Sequence, residues 1–130
     1  MTGSLPDAAR AVPARAALTV GAVHTEYLRF GHGAPLLVLD PRIAADLEAG
    51  TVPAVLRGMR LIVPVRTTIE ALATPAADGH VPFDRWLRGM IDGLGLHELT
   101  VLVAPALEPD LRRFAAAHPG EIVAVLPAPR

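Results

Sequence analysis

The sequence contains no cysteine, lysine, asparagine or glutamine, and one serine, Ser4. Without cysteine there are no disulfides, no Cys-ligated zinc and no thiolate nucleophile, and the redox compartment stays undetermined. Without lysine, a Schiff-base amine and a phosphate-loop lysine are both excluded. Ser4 falls near the chain start, so no serine nucleophile can stand at the end of a core strand. Charge excess is missing too. The formal net charge is -1 and the pI about 6.5, which gives no electrostatic footprint for nucleic acid or an anionic membrane. Long hydrophobic runs are also lacking. Apolar residues make up 52% of the chain, yet a charge or proline breaks every run short of a membrane span.

What is present fits one domain, since 130 residues bury one core but not two. Residues 1–16 are Ala- and Arg-rich, with Pro13 and Arg15 interrupting short apolar stretches. They make a poor signal peptide and read as a flexible arm before a single domain at 17–130. A cytoplasmic location is the expectation. Residues 20–30 (VGAVHTEYLRF) alternate partly around an early Gly21-Ala22 turn and suit an edge β-hairpin. PLLVL (35–39) and LIVPV (61–65) are short continuous apolar runs, as in strands covered on both faces. Helices are expected over 42–49 and, as a short turn, over 52–58. Residues 66–81 read as a loop with one turn of helix near 68–72. Phe83, Trp86, Leu87, Met90, Ile91 and Leu94 follow helical spacing, and Gly95 is a natural C-cap. Residues 98–103 form a third buried strand, 109–118 a helix begun by Pro109, and EIVAVL (121–126) a last strand. Strands alternating with helices imply an α/β fold: a three-layer domain with a mostly parallel sheet and an N-terminal β-hairpin.

Four phrases in register, YLRFGHGAPLLVLDP, RLIVPV, FDRWLRGMIDGLGLHELTVLVAPAL and RFAAAHPGEIVAVL, resemble the N-terminal half of α/β-hydrolase-fold enzymes. The resemblance covers roughly 20–126 and implies a truncated α/β-hydrolase-like domain. Its departures bear on function. The family's Gly-x-Ser-x-Gly elbow falls on Ala104-Pro105-Ala106-Leu107-Glu108, which places Ala106 at the nucleophile position. The family's histidine-glycine pair after the third strand is Asp40-Pro41, and a proline supplies no N–H to an oxyanion hole. The family's acid and histidine belong to segments beyond the stretch matched here. The resemblance therefore implies a fold whose hydrolytic triad is absent.

Asp40 stands at the carboxyl end of a parallel strand, the edge where open α/β sheets bind ligands. It is either a general base or the cap of the following helix. Thr67, Thr68, Pro105, Ala106 and Leu107 fall at the same edge and complete a candidate cleft for a small apolar ligand. Glu108 and Asp110 read as helix-start charges or as an acid pair. His24, His32, His80, His97 and His118 match no metal spacing, and no metal or cofactor is expected. Trp86 and Tyr27 are too isolated for a stacking platform. In the full family fold the strand matched by EIVAVL is interior; here it is an apolar edge, which soluble proteins cover. Ile122, Val123, Val125 and Leu126 are thus the expected interface, with a second copy across a two-fold axis or with a partner protein. Two functions remain open: a dimeric, non-hydrolytic binding or assembly pseudoenzyme, or a cyclase, lyase or isomerase using Asp40 as acid/base. A third, hydrolysis through an activated water, lacks an identifiable acid–base pair.

Overall fold

The computed structural model describes residues 14–20, 23–74 and 82–128. Its six strands are β1 (Ala14–Val20), β2 (Val23–Phe30), β3 (Pro35–Leu39), β4 (Arg60–Pro64), β5 (Leu99–Val103) and β6 (Ile122–Pro127). They form one sheet in the order β1-β2-β4-β3-β5-β6. The hairpin β1/β2 is antiparallel, β2 joins β4 antiparallel, and the remaining pairs are parallel. The turn at 21–22 lies outside the described residues, as do 1–13 of the expected arm. Residues 14–16 of that arm belong to the sheet instead, paired with Arg29, Leu28 and Tyr27. The reason is local: Leu18 and the residues before it continue the edge strand, and Ala16 and Leu18 pack on the core.

Helix α1 (Pro41–Glu48) connects β3 to β4, α2 (Arg66–Leu72) and α3 (Phe83–Leu94) lie between β4 and β5, and α4 (Glu108–Ala117) joins β5 to β6. From β3 the chain steps one way to β4, then returns across β3 to β5. Right-handed crossovers therefore place α1 on one face and α3 with α4 on the other. The contacts agree: α1 meets α2, β3 and β4, whereas α3 meets β1 and α4. Both faces being covered, Leu36, Leu37, Val38 and Leu39 of β3 are fully buried whichever way they point. Pro64 sits at the end of β4, as expected where a ladder donor is dispensable.

The apolar stripe of α3 is buried from Phe83 to Ile91, with Leu94 half-buried, and Gly95 closes the helix in the left-handed region at φ 63. Trp86 also donates its indole N–H to the buried Thr25 hydroxyl at 2.9 Å, tying α3 to β2. Gly93 lets α3 approach β1, because a Cβ there would meet Leu18 at 2.7 Å. The region after β4 differs from the expected loop. Residues 66–72 form two helical turns immediately after the strand, with Ile69 and Leu72 buried. No breaker interrupts RTTIEAL, and Arg66 stands one turn before Glu70 (4.0 Å), a pairing that supports a short helix. Residues 75–81 lie outside the described residues. The 52–58 turn is a 3-10 helix at Ala54–Leu56.

Candidate functional site

In a sheet of this order, β3 and β5 are neighbours whose following helices leave to opposite faces. The crevice between their carboxyl ends is where such sheets hold ligands. The Ala104 N–H bonds the Leu39 carbonyl at 3.0 Å, so the two strand ends meet there. Asp40 stands on one side and the Ala104–Leu107 corner on the other.

Asp40 is 2% exposed. One oxygen, Oδ1, accepts the Arg42 backbone N–H at 2.9 Å and caps α1, the reading that an Asp-Pro pair before a helix suggests. The other, Oδ2, is buried with no hydrogen-bond partner. An orphaned buried oxygen costs about 1–3 kcal/mol, and it is the feature of this crevice that capping leaves unexplained.

Across the crevice, the corner is relaxed. Leu107 has φ -103 and ψ -9, and among the described residues the sole non-glycine with positive φ is Glu98 (φ 48), upstream of β5. The strained backbone that lifts a nucleophile out of a strand–helix elbow is therefore not formed. The N–H groups of Leu107 and Glu108 both donate to the Ala104 carbonyl, at 3.0 and 3.1 Å. Leu107 follows the nucleophile position, so its N–H is the one an oxyanion hole of this design would use. Its counterpart after β3 falls on Pro41, which has no N–H, and on Arg42, whose N–H is held by Asp40.

An open cleft of about 340 Å³ lies beside this corner, lined by Pro41, Ile69, Glu70, Ala104, Ala106 and Leu107, with Ala73 and Thr74 at its rim. Of the sequence-derived ligand positions, Ala106 and Leu107 line it. Leu107 is buried and Ala106 exposed. Pro105 is exposed in the turn, and Asp40 contributes through its neighbour Pro41 rather than its own side chain. Thr67 lines a separate groove with Ala45, Glu48, Ala49, Val65 and Arg66, and Thr68 is half-buried in the first turn of α2. The structure thus does not gather Asp40, Thr67 and Ala106 into one cleft. Ile69 and Glu70 take the threonines' expected place because residues 66–72 are helical, a signal readable in the unbroken RTTIEAL phrase.

Several of the remaining candidates are engaged in local contacts. Glu108 pairs with Arg112 at 2.8 Å and Asp110 with Arg113 at 3.0 Å, within α4's own first turns. His24 Nδ1 lies 3.1 Å from the Thr19 hydroxyl, its cross-strand partner in the hairpin. His32 is exposed between Gly31 and Gly33, where the loop passes so close to Met59 and Gly58 that a Cβ would strike their carbonyls. His80 lies outside the described residues. Among the described residues no three metal-ligating side chains converge, and no helix is long and apolar enough to cross a membrane. A groove of about 450 Å³ runs between α3 and α4, past Phe83, Asp110 and Phe114.

Sequence reading alone missed a clamp beside that groove. Arg88 on α3 donates to both Glu121 oxygens (2.7 Å to Oε1) and to Asp92, and its Nη2 lies 3.1 Å from His118 Nδ1. Its guanidinium also sits 5.5 Å over the Phe114 ring, against which His118 packs at 4.4 Å. Hydrogen bonding from Arg88 holds the Glu121 carboxyl below its usual 4.5, and Glu121 in turn raises Arg88.

No protein-family model and no curated protein matches this sequence. Solved structures do match. The haloalkane dehalogenase DatA from Agrobacterium tumefaciens C58 aligns with TM-score 0.63 at 13% identity, over 88% of this chain and 40% of its own. At that identity the likeness is one of fold, and the chain is built as a fragment of the α/β-hydrolase fold.

Proposed function

We propose that this chain is a non-hydrolytic α/β-hydrolase-like pseudoenzyme, acting as a dimeric binding or assembly domain in the cytoplasm. The observation that carries the reading is the state of the elbow. Ala106 offers no nucleophile, and the Leu107 and Arg42 N–H groups that would receive an oxyanion are engaged by Ala104 and Asp40. Stabilising developing charge needs donors that are free and already aimed; these would first have to break their own bonds. The dehalogenase's activity does not carry over at 13% identity. The net charge of -1 speaks against nucleic-acid or membrane partners. The test is turnover of a generic aryl ester by purified protein. No turnover above buffer is expected; turnover lost on substituting one acidic or histidine residue would overturn the reading.

The orphaned Oδ2 of Asp40 favours a second reading. In it the chain is a cyclase, lyase or isomerase acting on a small apolar molecule in the neighbouring cleft, with Asp40 as acid/base. Asp40→Ala leaving the native host's pathway product intact would remove this reading.

A further inference from the structure

The cleft of about 340 Å³ beside the Ala104–Leu107 corner lies between the end of α2 and the start of α4. Its walls are apolar, formed by Pro41, Ile69, Ala104, Ala106 and Leu107, of which Ile69 and Leu107 are buried. Among the described residues one ionisable side chain lines it, Glu70, and that side chain is more than half exposed. Arg66 stands 4.0 Å from the Glu70 carboxylate but lines the separate groove with Thr67. An ion pair so long and so exposed contributes little, which leaves Glu70 open to a ligand.

The backbone around the cleft carries the same sign. A helix ends in a partial negative charge and begins in a partial positive one. The last turn of α2 holds no basic side chain, so its negative end, at Glu70, Ala73 and Thr74, is not offset. The positive end of α4 is withdrawn. Its first N–H groups, from Leu107 and Glu108, both donate to the Ala104 carbonyl, Pro109 has none, and Glu108 and Asp110 stand in the first turn. Ile69, Ala73, Thr74 and Ala104 also spend their N–H groups inside the chain. The Thr74 hydroxyl donates to the Glu70 carbonyl at 2.8 Å and so offers a ligand lone pairs rather than a proton. The Ala106 N–H, in the exposed turn, is the neutral donor not drawn into such a bond among the described residues.

We propose that this cleft binds a small organic cation, a protonated amine on a short alkyl or aryl body. The ammonium sits on the Glu70 carboxylate and the apolar body lies against Ile69 and Leu107. An ammonium brings donors alone, and it meets a wall that mainly accepts. A carboxylate or phosphate would meet the like charge of Glu70, the negative end of α2 and a single neutral donor. A neutral apolar molecule would bury the same surface but leave Glu70 unused. The volume suits a small ligand, at the lower end of the range of about 300–1,000 Å³ usual for such sites. This inference names the ligand class of the cleft and rests on the reading of the chain as a binding domain.

Hexylammonium, hexanol and hexanoate share one apolar body and differ in charge, so together they separate charge from burial. Each is titrated into the full chain at neutral pH and followed by amide NMR. Hexylammonium should shift the Glu70, Ala106 and Leu107 signals and bind about threefold or more tighter than hexanol, the scale of one exposed ion pair. Hexanoate should bind more weakly than hexanol. Glu70→Gln, at an exposed position, should bring hexylammonium down to the affinity of hexanol and leave hexanol unchanged. Added salt should weaken hexylammonium alone. Hexanoate binding as tightly as hexylammonium, or a Glu70→Gln chain that holds hexylammonium as well as the wild type, would overturn the proposal. Three probes binding alike would overturn it too, while leaving the cleft a ligand site and the binding reading intact. No shift with any probe would strike the cleft and this inference together, but not the non-hydrolytic reading, which stands on the elbow. Ester turnover would strike that reading alone.

Discussion

At the scale of single residues, Asp40 and Thr25 show what burial does to a polar group. The two oxygens of Asp40 stand in unlike states, one capping α1 and one buried without a partner. Serine retains a capping oxygen and removes the orphan. Asp40→Ser is therefore expected to be neutral or stabilising in urea denaturation, while Asp40→Ala should lie about 1 kcal/mol below the serine variant through loss of the cap. Thr25 accepts the Trp86 indole N–H in the core. Thr25→Val would leave that donor buried and unpaired, a loss of about 1–3 kcal/mol. Equilibrium unfolding followed by fluorescence of Trp86, the chain's one tryptophan, reads it directly. The capping role of Asp40 was legible in the sequence because a cap involves neighbours in the chain. The Trp86–Thr25 bond was not, since its partners are 61 residues apart.

Between elements, the Arg88 clamp joins α3, the end of α4 and the approach to β6. Its carboxylate, Glu121, titrates below its usual 4.5 when folded, chiefly because Arg88 hydrogen-bonds it. A carboxyl lowered in the folded state stabilises fully above the unfolded value, and that contribution is lost as pH falls through the folded one. The melting temperature of the wild-type chain should accordingly exceed that of Glu121→Gln at neutral pH. The gap should begin to close as pH falls below 4.5 and vanish under stronger acid, as thermal scans by circular dichroism would show. A constant gap would mean that packing rather than ionisation makes the difference. Helix α2 belongs to the same scale. The sequence suggested one turn of helix near 68–72 within a loop set by TPAADGHVP, and the structure extends it to Arg66–Leu72. The helix is held because Ile69 and Leu72 meet the core.

For the whole molecule, every strand of one sheet contributes to one connected core that reaches from Tyr27 to Ala128. Unfolding should be a single cooperative transition, with Trp86 fluorescence and far-ultraviolet ellipticity coinciding along urea. Separate transitions would show that the β1/β2 hairpin, on the periphery of the sheet, opens independently. The sheet order also sets the functional contrast. The crevice between β3 and β5 keeps the location of a ligand site, but its backbone donors are spent internally. β6, outermost among the described strands, leaves Val123 and Leu126 exposed.

By itself the sequence determined the alternation of strands and helices, the α/β class, the α3 stripe with its Gly95 stop, and the blankness of Ala104-Pro105-Ala106. These are local properties, written in periodicity, turn residues and the absence of a nucleophile. Tertiary structure alone decided that Leu107 and Arg42 have no N–H to spare, that Asp40 holds an oxygen without a partner, and that Thr67 lies apart from Ala106. Each of these depends on which strand ends meet and which side a group is turned to, and a chain acquires that information only when distant segments pack.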